Sequence, residues 1–239
     1  MDLNELRRIS AKEELSLNFT AKDERISSIL AGLQGIEGII LKGGTAINRV
    51  YLKNKRFSED IDFDLTSEGS AREVLPNTDS IVKKLEGFRT AKPRIIRDTI
   101  RYDLYYTNPL GHQDRIMLEF KPAKKPQAHS KRIVNFGFVP YEAALLEVYD
   151  IEALIIQKVD CIMNRTEGKD FYDMYHLLEL PHRRLNELKE KKEKILERMN
   201  LDEKQVKAIA NAMNHYLPRS QRPNWTLFLE ELREEIRRY

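Results

Sequence analysis

Three aspartates stand at every second position, Asp60, Asp62 and Asp64 in RFSEDIDFDL, a short distance after the glycine pair of LKGGTAINRVYL. In an extended strand side chains alternate between faces, so the three carboxylates share one face. Ile61, Phe63 and Leu65 take the other, which is the one to bury. Same-face neighbours lie about 6.5–7 Å apart along a strand. Carboxylates at that spacing can lean onto one divalent cation, or onto two about 3.5–4 Å apart. Like charges so close call for a counter-ion. A ligand set made only of oxygens favours magnesium or manganese over zinc.

Gly43 and Gly44 end the apolar run IEGIIL. Without a Cβ they let the backbone approach a ligand closely. Thr45 is expected to cap the helix TAINRVYL, whose first amides would then face an anion. A phosphate at that turn and a metal on Asp60 and Asp62 together describe nucleoside triphosphate chemistry. Each half has a plain reading of its own, a tight turn and a solvated acidic strand. Their conjunction in one strand–turn–helix–strand unit favours the chemical one.

The elements that must position these residues follow from pattern. Residues 2–33 read as two helices, with capping-box spacing in SAKE (10–13) and TAKD (20–23). Strands are expected at IEGIIL (36–41), EDIDFDL, PRIIR, TIRYDLYYT, DRIMLEF and RIVNFGFV (132–139), with a turn at NPLGHQ and a helix over 79–87. From Tyr141 onward the periodicity is helical. The division is therefore an α/β domain over 1–140 with N-terminal helices, and a helical domain over 141–239.

LKGGTAI followed by RFSEDIDFDL resembles the signature of the DNA polymerase β-type nucleotidyltransferases, and in particular the AbiEii/AbiGii toxin family with its MenT-like members. The resemblance spans about residues 36–180. It implies an α+β fold: a mixed sheet with flanking helices, then a helical C-terminal half. It also implies transfer of NMP from an NTP to an acceptor hydroxyl, with Mg²⁺ (or Mn²⁺) on Asp60 and Asp62. Lys42, Gly43, Gly44, Thr45 and Ser58 are expected at the nucleotide. A third carboxylate is expected on a later strand; Glu119 in DRIMLEF is the candidate, ahead of Asp64 and Asp114. A serine at the position of Ser58 is a modification site in some toxins of this kind; a local hydrogen-bonding role is the alternative. The leading acceptor is a tRNA 3′ end, the leading role that of a toxin, and a cognate antitoxin protein is an implied partner.

A second motif lies in DIEALIIQKVDCIMNRTEGKDFYDMYHLLEL (150–180). Wound as a helix, Ile151, Leu154 and Ile162 form an apolar stripe that contains Lys158, with Asp160 on the far side. On the next helix Met174, Leu177 and Leu178 mark the inward face, which holds Asp170, with Asp173 at its edge. A lysine and aspartates on buried faces need one another or a ligand. The family carries a lysine on one helix and a basic–Asp–x–x–Asp pattern on the next, matched here by Lys158, Lys169, Asp170 and Asp173. Lys158 either binds the triphosphate, with Asp170 orienting it, or closes a structural ion pair.

Composition bounds the rest. The chain has 239 residues, 41% hydrophobic and 33% charged, with a formal net charge of +3. That is a globular composition and too mild a charge to announce nucleic acid by itself. KPAKKPQAHSKR (121–132) gathers Lys121, Lys124, Lys125, Lys131 and Arg132 without an acid: an RNA contact leaving the sheet beside Glu119, or a solvated loop. One cysteine, Cys161, excludes an internal disulfide, and no apolar run is long enough to span a membrane, so a cytoplasmic place is expected. The histidines show no metal spacing. Two rival readings stand beside the RNA one: a protein hydroxyl as acceptor, or a nucleotide- or RNA-binding module without turnover. The presence of both Asp60 and Asp62 argues against the last.

Overall fold

Alternation builds the sheet. In a computed structural model that describes residues 1–134 and 137–239, the strands are β1 (Ile39–Lys42), β2 (Asp60–Leu65), β3 (Arg89–Thr90), β4 (Arg94–Ile96), β5 (Thr99–Thr107), β6 (Gln113–Pro122), β7 (His129–Val134) and β8 (Ala144–Tyr149). Among the described residues they form one mixed sheet in the order β3-β5-β6-β2-β1-β8-β7, with β4 also on β5. Val148, Leu41, Phe63, Phe120 and Ile100 align in register across neighbouring strands and are all buried. The Phe63 and Phe120 rings stack at 5.7 Å. One residue along, on the opposite face, a charged row runs Lys42, Asp62, Glu119, Arg101, Arg94. One register therefore sets both the core and the polar face.

The helices of this unit are α1 (Leu3–Lys12), α2 (Leu17–Gly32), α3 (Gly43–Ala46) and α4 (Ala71–Val82), and a π-helical turn, Ile47–Tyr51, continues α3. The capping-box expectations at SAKE and TAKD are corrected. Asp2 caps α1 by accepting from the amides of Asn4 and Glu5 at 2.8 and 2.9 Å, and Ser16 caps α2 from Phe19 at 3.2 Å. Ser10 and Thr20 lie inside helices, and each donates its hydroxyl to a backbone carbonyl. Helix α4 begins before the expected residue 79. Pro76 inside it reads as a breaker, but the Ser70–Glu73 capping box starts the helix, with the Ser70 amide 2.6 Å from Glu73 Oε2. Its Ala71, Val74, Thr78 and Val82 are buried, at helical spacing.

Residues 144–149 form β8, not the expected helix. Alternate residues Ala144, Leu146 and Val148 are buried, and the strand lies between β1 and β7. The first compact unit therefore runs Met1–Tyr149 and the second Asp150–Tyr239, rather than dividing near 140. Of the strand expected over 132–139, β7 covers the first part and Asn135 and Phe136 lie outside the described residues. No described helix is long and apolar enough to cross a membrane.

The second unit consists of α5 (Ile151–Asn164), α6 (Gly168–Leu178), α7 (Asn186–Arg198), α8 (Glu203–Met213) and α9 (Trp225–Arg237), with 3-10 turns at Asn214–Tyr216 and Arg219–Gln221 between the last two. Its aromatic core stacks Tyr172 on Phe228 at 5.6 Å, with Trp225 edge-on to Phe228 at 5.4 Å.

A buried ion pair ties the π-helical turn to α2. Arg49 Nη2 donates to Asp23 Oδ1 at 2.8 Å and Nη1 to Ser27 Oγ at 2.9 Å; the other Asp23 oxygen accepts from the Val139 amide at 2.9 Å. Removing one partner of a buried pair leaves its charge desolvated, so Asp23→Ala is expected to destabilise the first unit by about 3–5 kcal/mol. Asp23→Leu combined with Arg49→Met should recover most of that loss. Urea unfolding of the single and double variants checks both.

Candidate active site

Gly43 turns the chain from β1 into α3 with φ of +68°, a left-handed conformation open to glycine. A Cβ there would come within 2.5 Å of Asp62 Oδ2. A Cβ on Gly44 would come within 2.5 Å of an Arg56 guanidinium nitrogen and 2.8 Å of Ser58 Oγ. Both glycines are thus places where the backbone runs against polar side chains of the following loop and strand. Thr45 does not cap α3. It is buried inside that helix, and its hydroxyl donates to the Asp60 carbonyl, which ties the turn to the strand below it. Asn48 supports the same corner: its amide donates to the Gly44 carbonyl at 3.0 Å, and its Oδ1 accepts from the Arg56 amide at 3.2 Å.

The aspartates do share a face, and all are partly exposed while Ile61, Phe63 and Leu65 are buried. They are not equivalent. Asp64 is ion-paired with Lys42 and accepts a hydrogen bond from Tyr149 Oη at 2.6 Å. Burial, then the bond to Asp64, pushes the Tyr149 phenol well above its ordinary range, so it stays a donor. Lys42, expected at the nucleotide, is the lysine paired with Asp64. Asp114 is likewise occupied elsewhere, by Lys22 at 3.2 Å and Tyr106 at 2.9 Å.

Glu119, the expected third carboxylate, lies directly across from Asp62 on β6. Its Oε1, however, accepts from Arg101 Nε at 2.6 Å and pairs with Nη2 at 2.5 Å. Among the described residues no three His, Cys, Asp or Glu side chains are gathered tightly enough to hold a metal ion. Asp60 and Asp62 place two carboxylates on one partly exposed face, beside the Gly43–Gly44 turn. That chemistry fits a hard divalent cation completing its shell with phosphate oxygens and water.

The basic stretch 121–132, expected to leave the sheet beside this site, departs from it at the other end. Because Lys42 pairs with Asp62 and Ile39 with Leu65, the glycine turn sits at the Asp60 end of β2. Pro122 pairs with Leu65, so Lys124 and Lys125 leave at the other end. Lys121 pairs in register with Asp64, while Lys131 and Arg132 belong to the outer strand β7, where Arg132 covers the Tyr51 ring at 5.8 Å. These residues do not make one surface.

In the second unit Lys158, Asp170 and Asp173 come together as their helical stripes imply. Lys158 Nζ lies 2.8 Å from Asp170 Oδ1 and 2.8 Å from Asp173 Oδ2, and all three residues are buried. Asp173, placed at the edge of the inward face, is fully buried. The other cation on Asp170 is Arg165, whose Nε lies 2.7 Å from Oδ2, whereas Lys169 turns to Glu167 at 3.1 Å. Burial pulls the Asp170 carboxyl upward, but Lys158 and Arg165 outweigh it and hold the group below its usual range.

Sequence reasoning missed Arg101, Arg165 and Asn48. Asn48 had a usable signal, lying one helical turn after Gly44. Arg101 owes its role to a partner set by strand register, which no local pattern carries, whereas Arg165 meets Asp170 only five residues on, across the turn between α5 and α6.

No curated protein matches the chain by sequence. Among solved structures, a protein from H. pylori described as a nucleotidyltransferase has the same fold, with a TM-score of 0.68 and 20% identity over 93% of this chain and 95% of that one. The nucleotidyltransferase toxin MenT4 of Mycobacterium tuberculosis H37Rv superposes with a TM-score of 0.65 and 19% identity, covering 99% of this chain and 88% of its own. Residues 29–238 match the family described as "Nucleotidyl transferase AbiEii toxin, Type IV TA system", so the chain belongs to the AbiEii nucleotidyltransferase toxin family.

Proposed function

We propose that this chain transfers a nucleoside monophosphate from an NTP to an acceptor hydroxyl, most directly the 3′ end of a tRNA, and thereby acts as a growth-inhibiting toxin with a cognate antitoxin partner. One observation carries the reading: Asp62 lies against a Gly43 that leaves no room for a side chain, so an aspartate of the acidic strand and the glycine turn meet at one point. Family membership supports the reaction class. A divalent cation on Asp60 and Asp62 would neutralise phosphate charge and polarise the α-phosphate. Gly43, Gly44 and Thr45 would cradle the phosphates, with Arg56 and Ser58 beside them. In the reaction the acceptor oxygen forms a bond to the α-phosphorus, the bond to the β-phosphate bridging oxygen breaks, and pyrophosphate leaves. The hydroxyl proton passes to a carboxylate, for which Glu119 is the candidate once Arg101 releases it.

Radiolabelled NTPs with total tRNA, or with total protein, test the acceptor. Label in RNA is expected; label in protein alone would replace the acceptor, and no label in either would remove the reaction. Asp60→Asn and Asp62→Asn should each lower turnover at least about 10³-fold, the several kcal/mol that a divalent cation contributes to such a transition state. Full activity in EDTA would defeat the metal assignment. Gly43→Ala should match this loss of turnover and also destabilise by about 1–2 kcal/mol, because its left-handed backbone disfavours a Cβ.

Lys158 is kept as a triphosphate ligand within this proposal, and its ion pairs allow a clean separation. Lys158→Met breaks two buried contacts and should destabilise by about 3–5 kcal/mol. Weakened NTP binding by the folded variant at low temperature would support the ligand role; unchanged binding would leave the lysine a purely structural one. The depressed pKa of Asp170 has a defined sign. Its contribution to stability is complete above the unfolded value of about 4 and is lost as pH falls through the lower folded value. A pH series of melts should therefore show an acid loss that Asp170→Asn reduces.

A further inference from the structure

The charged row that contains Asp62 continues past Glu119 to Arg101 and Arg94, one residue on each successive strand. The neighbouring row starts at Asp60 and runs through Met117 to Asp103. Asp103 is nearly buried and clamps two arginines: Arg94 Nη2 at 2.6 Å and Arg115 Nη1 at 3.1 Å. Both arginine side chains are still about half exposed, 50% and 51%, so they are held in place yet open to a ligand. Arg89 pairs in register with Tyr105, and its guanidinium lies over that ring at 5.1 Å. Arg115 also pairs with Tyr105, so Arg89, Arg94, Arg101 and Arg115 share one face of the sheet with Asp60 and Asp62.

We propose that this arginine face of β3–β6 binds the phosphodiester backbone of a nucleic acid whose 3′ end is presented to Asp60 and Asp62. The inference rests on the nucleotidyltransferase reading and adds the path of the acceptor. A guanidinium carries five N–H donors in a planar fork that matches phosphate oxygens, and a bond to Asp103 leaves most of them outward. Asp103 fixes the two forks before the ligand arrives, which reduces the ordering entropy of binding. Placement supplies direction. Neighbouring strands lie about 4.8 Å apart, so the row from Asp62 to Arg94 spans roughly 14 Å along which successive phosphates can lie. A strand whose terminal hydroxyl sits at the aspartates would thus run its backbone over β6, β5 and β4.

The test measures binding, so its failure is distinct from failure of the reaction. The probe is a short 5′-fluorescein single-stranded RNA, titrated by anisotropy over a salt series in EDTA. The variant Arg94→Gln/Asp103→Asn/Arg115→Gln removes the clamp without leaving a carboxylate stripped of its cations. Losing two phosphate contacts should weaken binding about tenfold or more and lower the slope of log K against log salt by about 1–2. Circular dichroism and a thermal melt establish that the variant is folded; if it is not, the half-exposed Arg115→Gln alone should lower the slope by about 0.7. Affinity and slope within about twofold of the parent in a folded variant would overturn the proposal. So would equal competition by poly-glutamate, which would make the face one for acidic protein. Binding that depends on the clamp, in a protein that transfers no nucleotide, would overturn the reaction and leave this surface standing.

Discussion

The Asp62 carboxylate and the α-carbon of Gly43 share a space too small for a side chain, and the proposed site depends on that contact. It exists because β1 and β2 pair antiparallel with Lys42 against Asp62, so the next residue folds over the carboxylate. The register is held from the other face by Leu41 against Phe63 and Phe63 against Phe120. A slip of one residue would bring Asp60, Asp62 and Asp64 into the core and Phe63 into solvent, which burial energetics forbid. The chemistry of the polar face is thus positioned by the packing of the apolar one.

Three like-placed aspartates have separate fates, and the difference is non-local. Asp64 is neutralised by Lys42 and bonded by Tyr149, residues far from it in the chain. Tyr149 reaches it because β8 lies on the other side of β1. Asp60 anchors through its backbone, accepting the Thr45 hydroxyl, while its side chain shares the face with that of Asp62. The same principle separates Glu119 from a simple third ligand: it has the right register, and Arg101 has the right register to meet it. The Arg101–Glu119 pair is partly exposed, so opening it leaves both charges within reach of water, unlike the buried Lys158–Asp170 pair.

Local pattern was enough for the aspartate strand, for the buried stripe that contains Lys158, and for the alternation of fold between the two units. Each of these is a period written in consecutive residues. It failed where a local cue pointed the wrong way. Pro76 masked the start of α4 although Ser70 and Glu73 marked it. ALLEVY hides its alternation because Leu145, on the exposed face of β8, is apolar like the buried Leu146 beside it. The lysines after Glu119 looked close to the site in sequence, yet the parallel pairing of β2 and β6 sends them out at the other end. Strand direction, invisible in composition, decided which basic residues can face Asp60 and Asp62.

The buried ions are best understood as geometry and not as stability. Replacing a buried pair by apolar residues of similar volume is often neutral or stabilising, so burying charge brings no advantage in folding energy alone. What Asp23 and Arg49 do is fix the π-helical turn Ile47–Tyr51 against α2. That turn widens the helix so that the Leu52 amide bonds back to the Ile47 carbonyl, five residues earlier, at 3.0 Å. Such bulges recur at functional sites because they re-aim side chains within a helix. Here the re-aimed residues are Asn48, which holds the Gly44 carbonyl and the Arg56 amide, and Arg49, which holds the turn in place. A hydrophobic pair could fill the same volume, but it has no directional preference to stop the turn from relaxing into a regular helix. The loss to expect from such a replacement is in the position of Gly44 and Arg56, and hence in turnover, before it is in the melting temperature.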